Sequence, residues 1–308
     1  MNVGLVLSGG LAKGAYQAGF LRAVKESGVN VTSLSCASIG IFGGYAFSAN
    51  KVDKLVSMWQ QIHFDNVFDL AGSVWFKHFL KDEIKMIVEE NDSLKIPLYA
   101  PVCYLPFLHM NYYKMYGEYD KRWNSFIHSA ISFPFISGGP RFLKGQIALD
   151  GGLMDNIPVQ PILFNEKVDV ILVAHFEAGY RPRKNYLMRG IPILDFDISI
   201  HNMFRKRSFD FHGDTLKSML DSGYEYGNCI CKELFDGRTV EETVSNSETI
   251  KEKEASLRFD NSTLDTWIQR ANELFYPFVK KKRTKIRELV CVKEKTTERE
   301  INVVKEMP

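Results

Sequence analysis

Asn2–Ser48 reads NVGLVLSGGLAKGAYQAGFLRAVKESGVNVTSLSCASIGIFGGYAFS. Asn2–Leu7 is apolar and bounded by Ser8-Gly9-Gly10, the pattern of a buried strand that ends in a glycine loop. From Gly14 onward, Ala15, Ala18, Leu21, Ala23 and Val24 recur at helical spacing, and Gly28 supplies a stop signal. Val29–Ser35 predicts a second strand, Cys36–Gly40 a sharp turn, and the small-residue-rich run from Ser38 to Ser48 a second helix. Strand, helix, strand and helix in such quick succession predict an α/β fold, a mainly parallel sheet covered by helices.

The rest of the chain extends this pattern. Lys51–Ile62 and Lys81–Glu90 read as helices, and Val102–Met110 as a strand or part of a lipid-facing rim. Arg122–Ile131 predicts a helix that ends near Phe133, because Pro134 disfavours helical geometry in the residue before it. Gln146–Leu149 is a short strand leading into Asp150-Gly151-Gly152. Val168–His175 is almost wholly apolar, as expected of a central strand covered on both faces. Beyond Arg181 the chain is more polar, with amphipathic helices expected at Thr215–Cys231 and Ser262–Val279, separated by the charged segment Asp236–Glu254. The tail bears Lys280, Lys281, Lys282, Arg283, Lys285 and Arg287, read either as a solvated helix face or as a basic patch for an anionic membrane. The expected organisation is a catalytic core over 1–180 and a mostly helical part over 181–308 packed on it, with a charged tail at 280–308.

At 308 residues with 45% apolar composition, the chain can bury a sizeable core. A net charge of +2 points to no nucleic-acid partner. Cys36, Cys103, Cys229, Cys231 and Cys291 show no repeated spacing, and the C-x-C of Cys229 and Cys231 suits neither a usual zinc site nor a redox pair. No metal or cofactor is expected, and reduced thiols favour a reducing compartment. Val3–Leu7 is shorter than the roughly 7–15 apolar residues of a signal-peptide core. Cys36–Ala49, the longest apolar stretch, falls short of the ~20 residues that span a bilayer. A cytoplasmic location with at most peripheral membrane contact is the expectation.

Three segments carry the chemistry. Ser8–Gly14 is a glycine loop before a helix, able to turn backbone N–H groups toward an oxyanion or a phosphate, or simply to make a tight turn. It lacks the lysine–hydroxyl ending of a P-loop, and Leu11 breaks the G-x-G-x-x-G spacing. Cys36-Ala37-Ser38-Ile39-Gly40 is a variant of the G-x-S-x-G elbow, whose small residues let strand and helix crowd around a strained, exposed serine. Read alone, Ser38 is equally a helix N-cap. Asp150-Gly151-Gly152 at a strand end is a turn pair or a catalytic carboxylate. If all three segments end parallel strands, they converge on one sheet edge, where ligands bind.

In combination these segments resemble the patatin-like phospholipases. SGGLAKGAYQAG (Ser8–Gly19) is similar to that family's oxyanion loop, CASIG (Cys36–Gly40) to its nucleophile elbow, and DGGLMDNIPV (Asp150–Val159) to its D-G-G/A segment with an N-x-P continuation. SAISFPFISG (Ser129–Gly138) resembles the approach to that segment, and the resemblance covers residues 3–175. It implies a three-layer α/β/α fold and a serine esterase with a Ser-Asp dyad. Ser38 would be the nucleophile and Asp150 the general base. Gly9, Gly10 and Leu11, with Lys13 and Gly14, would form the oxyanion hole. Cys36, Ala37, Ile39 and Gly40 would shape the elbow, and Gly151 and Gly152 the Asp loop. Leu11 stands where the family has a third glycine, and Cys36 where the elbow has its first.

The function so implied is hydrolysis of lipid acyl esters, as in a phospholipase A or lysophospholipase, with no cofactor. Partial burial would raise the Asp150 pKa and make the carboxylate a better base. His175 completes a Ser-Asp-His order, but too few strands precede Ser38 for an α/β-hydrolase, so it reads as a core or rim histidine. His201 and His212 have no argued role. Trp75, Phe76, Phe79, Leu80, Met110, Tyr112 and Tyr113 line an apolar entrance or belong to the core. A catalytically silent lipid- or protein-binding relative and a nucleotide-binding module are the competing readings.

Overall fold

The computed structural model describes residues 1–62, 84–106, 109–133, 141–143, 145–257, 263–281, 285–289 and 298–302. The elements are, in order, β1 (Val3–Leu7), α1 (Gly14–Glu26), β2 (Val31–Cys36), α2 (Gly40–Ser48), α3 (Val52–Gln61), β3 (Ser93–Leu105), β4 (His109–Glu118), α4 (Arg122–Ala130), β5 (Arg141–Leu143) and β6 (Gln146–Asp150). They continue with α5 (Gln160–Asn165), β7 (Val170–His175), β8 (Ile193–Asp197), α6 (Gly213–Phe235), α7 (Val240–Glu254), α8 (Thr263–Lys281), β9 (Lys285–Leu289) and β10 (Glu298–Asn302).

The strands form one mixed sheet in the order β10-β9-β4-β3-β2-β1-β7-β8. Its centre, β3-β2-β1-β7-β8, is parallel throughout. Side chains alternate across it, as the pleat requires. Leu5, Leu7, Leu172 and Ala174 join the larger core, while Val6, Ile171 and Val173 pack with Ile157, Ile162 and Leu163 on the other face. The three-layer α/β/α architecture is therefore present, and β7 is the doubly covered strand its apolar run predicts.

The strand β3 positions the site. Its Leu98 and Tyr99 pair with Leu34 and Ser35 of β2 in parallel, but from Val102 to Leu105 it pairs antiparallel with β6. Beyond the carboxyl end of β2, the place beside β3 is thus taken by a strand running the opposite way. That brings the last residue of β6, Asp150, down toward the turn that follows β2. The expectation that Asp150 ends a parallel strand is corrected here: convergence is achieved by a head-on approach, because β6 closes an antiparallel excursion from β3.

On one face α1 and α6 cross at very close range. A Cβ on Gly19 would stand 2.0 Å from the Leu220 carbonyl oxygen, and one on Gly223 2.1 Å from that of Tyr16. Both obstacles are backbone, so no rotamer change relieves them and the helices must separate. Gly223→Ala is expected to cost about 1–3 kcal/mol through overpacking, measurable as a lowered urea midpoint with an unchanged slope.

Several boundaries differ from the sequence reading. Asp236–Glu254 is not a bare separator: most of it is α7, opened by a capping box in which Thr239 accepts from the Glu242 amide and Glu242 from that of Thr239. Of the tail's charged run, Lys280 and Lys281 end helix α8, whereas Lys285 and Arg287 lie on β9, which pairs parallel with β4 and antiparallel with β10. Val102–Met110 spans the end of β3 and the start of β4. Within Lys81–Glu90, residues 84–87 are helical and 81–83 lie outside the described residues.

Candidate active site

The glycine loop follows β1 directly. The Ser8 amide still belongs to the sheet, donating to the Ala174 carbonyl at 3.2 Å, and buried Gln17 donates its side-chain amide to the Ser8 carbonyl at 2.6 Å. The chain then passes so close to Ser38 that a Cβ on Gly9 would stand 2.7 Å from Ser38 Cβ and 2.6 Å from Asn156 Oδ1. Leu11 has φ +53°. That left-handed backbone costs a residue with a Cβ roughly 1–2 kcal/mol.

The loop amides divide into two groups. Gly9 donates to Asn156 Oδ1 at 3.0 Å, Ala12 to the Ser208 carbonyl at 3.0 Å, Lys13 to the Gly10 carbonyl at 3.1 Å, and Gly14 back into the 3₁₀ turn Leu11–Lys13. Among the described residues, the amides of Gly10 and Leu11 meet no protein acceptor. Of the residues expected to form the anion hole, Gly9, Lys13 and Gly14 have amides committed to protein acceptors, and Gly10 and Leu11 do not. The Lys13 side chain is also committed. It is fully buried, ion-paired with Asp265 of α8, and lies over the Phe176 ring at 5.3 Å from its centroid.

Ser38 lies in the turn between β2 and α2 with φ +51°, a strained conformation for a residue with a side chain. Helix α2 begins at Gly40, and its flanking residue Ile39 makes no side-chain capping bond. The N-cap alternative for Ser38 therefore has no hydrogen bond to support it. A Cβ on Gly40 would stand 3.0 Å from the Ser8 carbonyl oxygen, which makes the last glycine of the elbow necessary. Cys36 is accommodated because it ends β2 and its sulfur fills the space Gly44 leaves open: a Cβ on Gly44 would stand 2.5 Å from Sγ. Burial pushes the Cys36 thiol up, so it stays protonated.

Asp150 is fully buried. Its amide donates to the Ser132 carbonyl at 2.9 Å, and Oδ1 accepts the Gly152 amide at 2.8 Å. Gly151 crosses β3 so tightly that a Cβ would stand 2.3 Å from the Pro101 carbonyl carbon. Burial pushes the Asp150 pKa up to about 7, while hydrogen bonding from the Ser38 hydroxyl and the Gly152 amide holds it back. Oδ2 has no partner at normal hydrogen-bond distance among the described residues. The structure thus gathers a strained serine, a buried carboxylate of raised pKa and two uncommitted amides.

Asn156, Glu177, Asn272 and Asp265 surround this group, and the sequence reading assigned none of them a role. Asn156 links the glycine loop to the Asp150 loop, and Asn272 of α8 donates to the Gly152 carbonyl at 2.9 Å. His175 is buried, accepts the Glu177 amide at Nδ1 (3.1 Å) and packs against the Tyr180 ring, as expected of a core histidine. His201 contacts Glu254 at 3.1 Å and His212 contacts Asp210 at 2.7 Å, both away from the site. Met110, Tyr112 and Tyr113 are core residues and not an entrance. Trp75, Phe76, Phe79 and Leu80 lie outside the described residues.

The chain is similar to several known proteins. Residues 5–127 match the family model for patatin-like phospholipase. Proteins named lysophospholipase NTE1 are 26% identical over 185 residues in Cryptococcus neoformans var. neoformans serotype D and 25% identical over 176 residues in Mycosarcoma maydis. The alignments take in 56% and 53% of this chain but 11% and 9% of those proteins, so the chain spans about a tenth of their length. Among solved structures, VipD from Legionella pneumophila is a distant likeness, with a TM-score of 0.34 and 14% identity over 90% of this chain and 80% of that one. The glycine loop and the Ser38 turn both fall inside the matched span, while Asp150 lies beyond it. Over residues 5–127, less than half of its length, the chain is similar to the patatin-like phospholipase family.

Proposed function

We propose that the chain hydrolyses fatty-acyl esters of lipids through a Ser38 acyl-enzyme, with Asp150 as general base. The observation that carries this reading is the Ser38 hydroxyl, presented at φ +51° to a buried carboxylate whose pKa is about 7. An ordinary aspartate, near 3.9, is a poor acceptor for a serine proton; one near 7 is matched to neutral pH. Asp150 takes the Ser38 proton as Oγ attacks the ester carbonyl. The resulting oxyanion is held by the Gly10 and Leu11 amides. Collapse breaks the ester bond, and the proton passes from Asp150 to the departing alcohol. Water, deprotonated by the same carboxylate, then releases the fatty acid and restores Ser38.

The lysophospholipase name of the curated relatives supports monoacyl phospholipids as the first substrates to test. Contact with a lipid surface is part of the proposal. Half-exposed Trp267 of α8 packs edge-on to Phe133, the neighbour of the Ser132 carbonyl that holds Asp150, and Phe142 on β5 is largely exposed. No described helix is long and apolar enough to cross a membrane. The reading is tested with a fluorophosphonate probe and a lysophospholipid. The wild-type chain is expected to be labelled and to release fatty acid, and Ser38→Ala to do neither. A wild-type chain that binds lipid but is not labelled would support the silent relative instead.

A further inference from the structure

The two amides assigned to the oxyanion are useful only if the loop keeps its register against Ser38. The Asn156 side chain lies where that register is set. Its Oδ1 accepts the Gly9 amide at 3.0 Å, and its Nδ2 donates to Glu177 Oε1 at 3.1 Å. A Cβ on Gly152 would stand 3.0 Å from both Asn156 Oδ1 and Asp150 Oδ1, so the Asn156 amide lies between the glycine loop and the Asp loop. Its own main chain is fixed from the far side, where the Asn156 amide donates to Asn272 Oδ1 at 2.6 Å.

Donor and acceptor chemistry makes this arrangement directional. The Gly9 N–H that faces Oδ1 can only donate, and the Glu177 oxygen that faces Nδ2 serves as an acceptor. A flipped Asn156 amide would set N–H against N–H at Gly9 and carbonyl against carboxyl oxygen at Glu177. Both contacts are buried, where an unmade hydrogen bond is costly. Glu177 is itself held just past β7 by the hydrogen bond its backbone N–H donates to His175 Nδ1. The side chain that decides the loop's register is therefore oriented by a second buried group, Glu177.

Building on the proposed Ser38 chemistry, we propose that Asn156 is a positioning residue for the oxyanion loop, and that Glu177 fixes the direction of its amide. By holding Gly9, Asn156 leaves the next two amides, Gly10 and Leu11, turned toward Ser38. Its effect falls on the transition state, where the oxyanion exists, and not on ground-state binding of the ester.

The test uses the full chain with p-nitrophenyl butyrate, a fluorophosphonate and thermal unfolding, on Asn156→Ala, Glu177→Leu and Glu177→Gln. Asn156→Ala and Glu177→Leu are expected to lower kcat about tenfold or more with KM within about twofold, and to slow fluorophosphonate inactivation in parallel. Glu177→Gln keeps a carbonyl acceptor for Nδ2 and is expected to stay within about threefold of wild type. Folded Asn156→Ala with wild-type kcat overturns the proposal. So does Glu177→Gln as impaired as Glu177→Leu, which would point to charge and not to amide orientation. A merely structural role would lower the melting temperature and leave kcat per folded molecule unchanged. Should Asn156→Ala not fold, the two Glu177 variants decide. A wild-type chain that is neither labelled nor active sinks the Ser38 reading itself, whereas an active wild type matched by Asn156→Ala and Glu177→Leu sinks only this one.

Discussion

Asp150→Asn is expected to abolish ester hydrolysis and, above neutral pH, to make the chain more stable than wild type. The first effect follows from the base: an amide cannot accept the Ser38 proton, and loss of a positioned general base costs about 10²–10⁴-fold in rate. The second follows from burial. A carboxyl whose pKa moves from 3.8 to about 7 on folding favours its protonated form in the folded state. Its contribution is complete below the unfolded value near 3.8 and is lost as pH rises through about 7. At pH 8.5 the folded chain therefore carries an unfavourable buried charge equivalent to at most roughly 4 kcal/mol. Asparagine removes that charge and can keep its carbonyl on the Gly152 amide. Glu177 and Asp155, raised by burial to about 7 and about 6, act in the same direction, so only the difference between variant and wild type isolates Asp150. Melting temperatures at pH 5 and pH 8.5 decide it, with the variant gaining at the higher pH. For the wild type, kcat/KM should rise with pH across an apparent pKa near 7. An Asp150→Asn chain that keeps its activity, or is no more stable than wild type at pH 8.5, contradicts the assignment of that carboxyl as the buried base.

What was legible in the sequence was local. β1, α1, β2 and the Ser38 turn each rest on contiguous patterning, and glycines mark the places where Ser38, Ser8 and Phe176 leave no room for a Cβ. The direction of β6 was not legible, because pairing with the far half of β3 depends on a strand that changes partners midway. The donors of the loop could not be sorted by spacing either. Which amides remain available depends on Asn156, Ser208 and the 3₁₀ turn, and the first two are remote in sequence. Asn156 stands within the quoted DGGLMDNIPV segment, but its three partners, Gly9, Glu177 and Asn272, come from the loop after β1, the segment after β7 and helix α8. A usable signal was missed at Thr239: T-x-x-E ahead of a helix is a capping box on sequence alone. The tail misled for the opposite reason, since its dense charge hides strands whose pairing comes from the edge of β4.

Asp265→Ala is expected to be among the most destabilising single changes in the chain, although Asp265 lies far from Ser38 in sequence. Lys13 is fully buried at the head of α1, and its ammonium meets the Asp265 carboxylate and the face of Phe176. An ammonium left in that position without its counter-ion costs about 3–5 kcal/mol, far more than a surface pair is worth. The expected result is an unfolding free energy lowered by that amount, read from a reduced urea midpoint at unchanged slope. Replacing both partners by apolar residues, Lys13→Met with Asp265→Leu, should recover most of it, because the desolvation cost of both charges disappears together. The pair also joins α8 to the turn Leu11–Lys13, while Asn272 of the same helix holds Gly152 and Asn156. The double variant should therefore fold well yet show a lower kcat wherever the salt bridge sets the Leu11 amide, and a wild-type kcat if it serves stability alone. A loss below about 1 kcal/mol for Asp265→Ala would mean that the Lys13 ammonium finds water or another anion, and the helix would then be an ordinary packing element and not a brace for the loop.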